Sequence, residues 1–242
     1  MDIVRMGELR VCGKPIVLGE QYTGGPITIE DTPPIGGMEF FELNKSFFVS
    51  TQVWLPQVSW WNLERSGLNL GIFVKIGGRH YICRMPYVGD PNSDPNEWDD
   101  LLTELNKQEL ELVNQQGFSF WGKDAAKDGA KNNWNNRIIR GGYAAAGRGE
   151  RPVNFANHRL GFRPVLKRLP PEPELSSIQG HNVSVFGPCG TSVAGQLICT
   201  SDYDIVLRPI TAVPGAWSGW SRKDGNEVII ERGNVKYVKE EK

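Results

Sequence analysis

The run Arg168-Leu169-Pro170-Pro171-Glu172-Pro173-Glu174 constrains this chain more than any other stretch. Three prolines in four positions remove backbone donors and hold the chain extended between two apolar-patterned regions. The sequence therefore divides into a domain over 1–167 with an N-terminal β extension at 1–55, a proline-rich linker at 168–175, and a second domain at 176–242. With 39% hydrophobic and 10% aromatic residues, a chain of 242 residues can bury a real core, which excludes wholesale disorder. Its 28 glycines, 16 prolines and eight tryptophans point to turns, short strands and aromatic anchors, with helix the minor component.

Charge excludes a whole-chain nucleic-acid binder, because 27 Lys and Arg face 28 Asp and Glu. The charges are nonetheless segregated. Residues 90–118 hold eight acids and one lysine, and residues 123–168 hold eleven Lys and Arg against three acids. Either the acidic helix and the basic loop pair within the fold, or the basic stretch is an electropositive surface. The four cysteines, Cys12, Cys83, Cys189 and Cys199, form neither a C-x-x-C pair nor a metal-spaced cluster and are expected to be buried reduced thiols. No apolar run reaches 18 residues, and the start lacks the basic-then-apolar layout of a secretory signal, so a soluble protein made in the cytoplasm and not bound to a membrane is expected.

Along the first domain, short extended segments such as Arg10-Val11-Cys12 and Phe47-Phe48-Val49-Ser50 alternate with Gly-Gly and Pro-Pro turns. Ser59 can cap a short helix over 60–65, and Ile72–Ile76, Gly77-Gly78 and His80–Arg84 form a hairpin. In Asp94-Pro95-Asn96-Glu97 an N-cap carboxylate, a proline and a capping-box glutamate precede Trp98, Leu101, Leu102 and Leu105, which predicts an amphipathic helix over about 95–106.

Glu97-Trp98-Asp99-Asp100-Leu101, Phe120-Trp121-Gly122, Arg137-Ile138-Ile139-Arg140-Gly141-Gly142-Tyr143 and Leu160-Gly161-Phe162-Arg163-Pro164-Val165-Leu166 follow one another in a known order. Over about 56–167 this resembles the C-type-lectin-like fold of the formylglycine-generating-enzyme (sulfatase-modifying) superfamily, and more closely its phage and prophage ligand-binding members. The resemblance implies an α+β domain whose 143–159 loop forms the ligand-binding face. That loop is too irregular for a helix or strand. Its candidates are Tyr143, Arg148, Arg151, Asn154, Phe155, Asn157, His158 and Arg159, since aromatic and Arg side chains are what interface hot spots use. The alternative is that Arg148, Arg151 and Arg159 neutralise the acidic helix while Phe155 plugs the core. The enzymatic branch uses a copper-binding cysteine pair or an iron-binding histidine set, and this sequence departs from both: residues 123–167 contain no cysteine and only His158. No nucleophile motif accompanies His80, His158 or His181, and Gly187–Ser192 lacks the lysine of a phosphate loop. Neither catalysis nor a cofactor or metal is implied.

Residues 178–242 alternate as strands do around a glycine turn, with Gly180, Gly195, Tyr203-Asp204 and Arg232-Gly233-Asn234 at motif positions. This resembles the Sm-like small β-barrel, and the implied RNA-binding candidates are Tyr203, Asp204, Arg232 and Asn234. Asp204 stands where the family usually has Asn or Gln, and a carboxylate only accepts hydrogen bonds and repels phosphate. Trp217 and Trp220 lie in an unusually apolar loop and are expected to dock against the first domain or a neighbouring subunit.

The expectation is a non-enzymatic receptor-binding or display protein of phage or prophage type, with a protein or glycan ligand on the 143–159 surface and virion association as its destination. The barrel is a candidate for homo-oligomer formation. An Sm-like RNA-binding or nucleoprotein-assembly protein is the alternative.

Overall fold

The computed structural model describes residues 1–89, 96–114, 117–126, 135–187, 191–210 and 220–241. They form two compact units, Met1–Leu169 and Pro170–Lys242. The first unit contains β1 (Ile3–Met6), β2 (Glu8–Val11), β3 (Lys14–Pro15), β4 (Ile27–Glu30), β5 (Met38–Asn44), β6 (Phe47–Ser50), β7 (Leu55–Pro56), α1 (Trp60–Arg65), β8 (Ile72–Ile76) and β9 (Arg79–Arg84). It continues through α2 (Glu97–Glu104), α3 (Lys107–Val113), β10 (Phe118–Ala125), β11 (Asn136–Gly142), β12 (Arg148–Pro152), β13 (Leu160–Phe162) and β14 (Val165–Arg168). The second unit contains β15 (Asn182–Phe186), β16 (Ser192–Thr200), β17 (Asp204–Pro209), β18 (Ser221–Asp224), β19 (Glu227–Glu231) and β20 (Tyr237–Glu240).

The expected α+β class is overturned. Among the described residues strand accounts for 46% and helix for 13%, with three α-helices, so the fold is β-rich. The helices are short because each starts at a strong cap and soon meets a break: the Ser59 and Asn62 side chains form a capping box for α1, which ends at Ser66 before Gly67. Helix α2 starts one residue after Asn96, whose side chain accepts from Asp99 N. The expected cap Asp94 lies outside the described residues. Leu105 is already extended, and Asn106 with Glu109 caps a separate helix, α3, where the sequence predicts none.

In the first unit a six-stranded sheet, β1-β5-β6-β14-β9-β8, accompanies a five-stranded sheet, β12-β11-β10-β13-β7, and a small sheet, β3-β2-β4. The first is antiparallel throughout, and in the second β10 and β13 run parallel. Successive strand residues point to opposite faces, so a run of adjacent apolar residues requires cover on both sides. Phe40, Phe48, Leu166, Trp121 and Ile139 enter one core cluster, and their neighbours Phe41, Val49, Val165, Phe120 and Ile138 enter another. Gly161 permits the β13–β7 contact, because a Cβ there would lie 2.4 Å from the Leu55 carbonyl oxygen.

The second unit is one six-stranded sheet, β18-β19-β17-β16-β15-β20, whose alternate residues converge on a single core cluster. Trp220 belongs to that cluster at 5% exposure, with its ring where a Gly187 Cβ would sit. This corrects the expectation that Trp220 docks outside its own domain; Trp217 lies outside the described residues. Segment 170–172 is held to β20, since the Tyr237 hydroxyl donates to the Pro170 carbonyl and Glu172 accepts from Val238 N.

The cysteine expectation also needs correction. Cys83 is buried, but Cys12 and Cys199 are exposed. Cys12 occupies a tight turn at φ 52°, and Cys199 follows a bulge that shifts the end of β16. Cys189 lies outside the described residues. Among the described residues no helix is long and apolar enough to cross a membrane.

Candidate functional site

Part of the 143–159 segment is a strand, which corrects the irregular loop expected from the sequence. Arg148–Pro152 forms β12 at the edge of the five-stranded sheet, paired to β11 with Arg140 opposite Arg148 and Arg137 opposite Arg151. The turn between the two strands is tight because of its glycines. Gly141 has φ 90° and a Cβ there would lie 2.7 Å from the Phe118 carbonyl oxygen, while one on Gly147 would lie 2.4 Å from that of Gly141.

Helix α2 holds this turn from below. The Trp98 indole N–H donates 2.9 Å to the Ala145 carbonyl, and one Arg140 nitrogen reaches both Asp99 carboxylate oxygens at 2.5 Å. The remaining Arg140 donors go to the carbonyls of Val88 and Ala146. Glu97 in turn pairs with Arg84 and accepts from Tyr87 N. Thus Glu97 and Asp99 of the acidic helix are matched by Arg84 and Arg140, not by the loop arginines; among the described residues Arg151 and Arg159 form no ion pair.

Four of the eight sequence candidates come together. Tyr143, Arg148, Arg151 and Arg159 line a depression of about 420 Å³ whose floor includes Gly117, Ser119, Ile139, Gly141, Gly142, Gly147 and Gly149. Tyr143 is 94% exposed. A Cβ on Gly117 would touch the Arg159 guanidinium at 3.4 Å, so glycine leaves that side chain room to lie across the floor. The other four candidates serve elsewhere. Phe155 packs against the core with the Arg151 guanidinium 5.5 Å above its ring. Asn157 closes a turn, accepting from Arg159 N through its side chain and from Gln57 N and Leu160 N through its carbonyl. Asn154 and His158 are exposed and do not line the depression. The glycine floor was missed by sequence reading; the signal available was Gly141-Gly142 with Gly147 and Gly149.

Arg163, between β13 and β14, is buried rather than presented to ligand. Its guanidinium donates to the carbonyls of Ser50, Thr51 and Val113 and lies 5.0 Å from the Trp98 ring and 4.9 Å from that of Phe120. Burial pushes its pKa down to about 9.

In the second unit the four RNA candidates sit on two adjoining loops. Arg232 N–H donates to the Tyr203 carbonyl and its guanidinium to that of Ser201, while Asn234 bonds Glu231. Tyr203 is 80% exposed, and Asp204 opens β17 opposite Glu231. Arg232 thus clips one loop to the other.

Among the described residues no group of three or more His, Cys, Asp or Glu side chains is placed to hold a metal ion. No family model, curated protein or solved structure matches this chain.

Proposed function

We propose that the protein is a non-enzymatic ligand-binding module that receives an anionic group of its ligand in the depression formed by Tyr143, Arg148, Arg151 and Arg159. The convergence of three arginines and one exposed tyrosine over a glycine floor carries this reading. Arginine presents a planar fork matched to carboxylate, sulfate or phosphate oxygens, the glycines let such a group approach backbone, and Tyr143 offers an apolar face beside it. The motif order from Glu97 to Leu166 supports the same reading, because in the lectin-like superfamily it resembles, the segment after R-x-x-R-G-G faces ligand. A protein or glycan partner and display on a phage or prophage particle belong to this proposal. The second unit serves it as an assembly module.

Titration with inorganic sulfate, followed through backbone amide resonances, tests the site. Gly117, Gly141, Gly142, Gly147 and Gly149 are expected to shift together, and Arg159→Ala to abolish the shifts. Sulfate shifts scattered over the surface, or absent at these glycines, would overturn the reading.

A second reading is favoured by the adjacency of Tyr203, Asp204, Arg232 and Asn234: an Sm-like RNA-binding module. It requires co-purifying nucleic acid that is lost at high salt.

A further inference from the structure

We infer that the depression is one end of a longer track for an anionic polysaccharide, continuing across Arg137 and Arg151 to Trp61 and Arg65. This inference rests on the ligand-binding reading above. Arg137 and Arg151 are direct partners across the β11–β12 ladder, so two guanidinium-bearing residues share one face of the sheet. Arg151 also lines the depression, on the sheet face that Gly149 and its ladder partner Ile139 share. The track therefore begins inside the site already described.

Aromatic rings support three of its arginines. Arg137 lies 4.1 Å over the Trp60 ring, Arg151 lies 5.5 Å over Phe155, and Arg65 lies 4.4 Å over Trp61. The two elements are joined at this point, because Trp61 N–H donates to the Val153 carbonyl immediately after β12. Trp61 and Arg65, four residues apart on α1, are both exposed. Glu64 is an acidic side chain whose charge Arg137 feels, and Arg65, Arg151 and Arg159 form no ion pair among the described residues.

The stacking decides the class of polyanion. Successive bases need several open aromatic faces, but the rings of Trp60, Trp61 and Phe155 each carry a guanidinium, which leaves Tyr143 as the open face. These rings hold arginine planes, which lowers the entropy lost when an oxyanion is gripped. Carboxylates or sulfates repeated along a sugar chain suit such a row, with Tyr143 placed to cover a sugar face.

The test measures affinity for uronate oligosaccharides (oligogalacturonides), sulfated oligosaccharides (heparin fragments) and a thymidine oligonucleotide, each as a length series from disaccharide-sized to octasaccharide-sized. Affinity for one of the two sugar series is expected to rise by at least about tenfold across the range as further charges engage; which series responds tells carboxylate from sulfate. Arg65→Ala is expected to flatten the rise, as is Arg137→Lys, which keeps the charge and is checked for folding by its thermal melt. Arg79→Ala, an exposed arginine on another sheet, is expected to leave the rise intact. No length dependence, an equal effect of Arg79→Ala, or oligonucleotide binding as tight as the sugars would overturn the track. Length-independent binding with intact sulfate shifts at the glycine floor would remove the track alone, whereas loss of those shifts would remove the ligand-binding reading as well.

Discussion

The indole N–H of Trp98 and the carbonyl of Ala145, 47 positions apart, meet at 2.9 Å and tie helix α2 to the turn that carries Tyr143. Trp98→Phe keeps an aromatic ring against Phe120, whose centroid is 4.5 Å away, but leaves the Ala145 carbonyl without its donor. A loss of about 2 kcal/mol in unfolding free energy is expected, with faster amide exchange at Gly147, whose N–H bonds Ala144 within the same turn. Denaturant titration and hydrogen exchange read the two effects separately.

Arg163 poses a contest of magnitudes. Its depression to about 9 corresponds to a desolvation cost of about 5 kcal/mol, which an apolar replacement would remove. Such a replacement also strands the carbonyls of Ser50, Thr51 and Val113 at about 1–3 kcal/mol each and forfeits contact with two rings. The second sum is larger, so Arg163→Met is expected to destabilise by about 2–4 kcal/mol. Arg163→Lys, which keeps the buried charge but loses the planar fork, is expected to be worse. Equal or greater stability of either variant in urea unfolding would contradict this accounting.

Asp31 accepts from the N–H groups of Gly77 and Thr32, both at 2.7 Å, and these bonds hold its carboxyl below the usual range. A depressed native pKa means that the unfolded chain takes up the proton first as pH falls. The stabilisation is therefore complete above the unfolded value of about 3.8 and is lost as pH drops through the lower native one. Asp31→Ala is expected to melt below wild type at about pH 7, with the gap narrowing at about pH 2.

Thiol chemistry should divide the cysteines. Burial raises the Cys83 thiol pKa far above its ordinary value, whereas Cys12 and Cys199 are exposed. Alkylation of the native protein, mapped by peptide mass spectrometry, is expected to label Cys12 and Cys199 within minutes and Cys83 only on unfolding. Labelling of Cys83 at the native rate would show that its sheet opens readily.

Local signals were legible wherever one residue type has one strong use. Ser59 caps α1, and Gly77-Gly78 turns β8 into β9, as their chemistry dictates. The break between α2 and α3 was missed because the Trp98, Leu101, Leu102 and Leu105 stripe has no way to show that the chain turns extended at Leu105 and restarts at Asn106. Strand β12 was invisible because Arg-Gly-Glu-Arg-Pro, on a sheet edge, has no buried face to impose alternation. Of the candidate site, the arginines could be named from composition, but their separation from Asn154, Asn157 and His158 depends on the register of β11 with β12, a long-range property.

Strand β14 sits between β6 and β9, joining Val165 to Val49 and Leu166 to Cys83. It is also the last strand of its unit to leave the ribosome. Until then the partly synthesised sheet carries two unpaired edges, and its final closure links residues more than a hundred positions apart. Folding of the first unit should accordingly be slow, delayed for its central sheet until β14 has emerged, and sensitive to chaperones that shield open strands during synthesis.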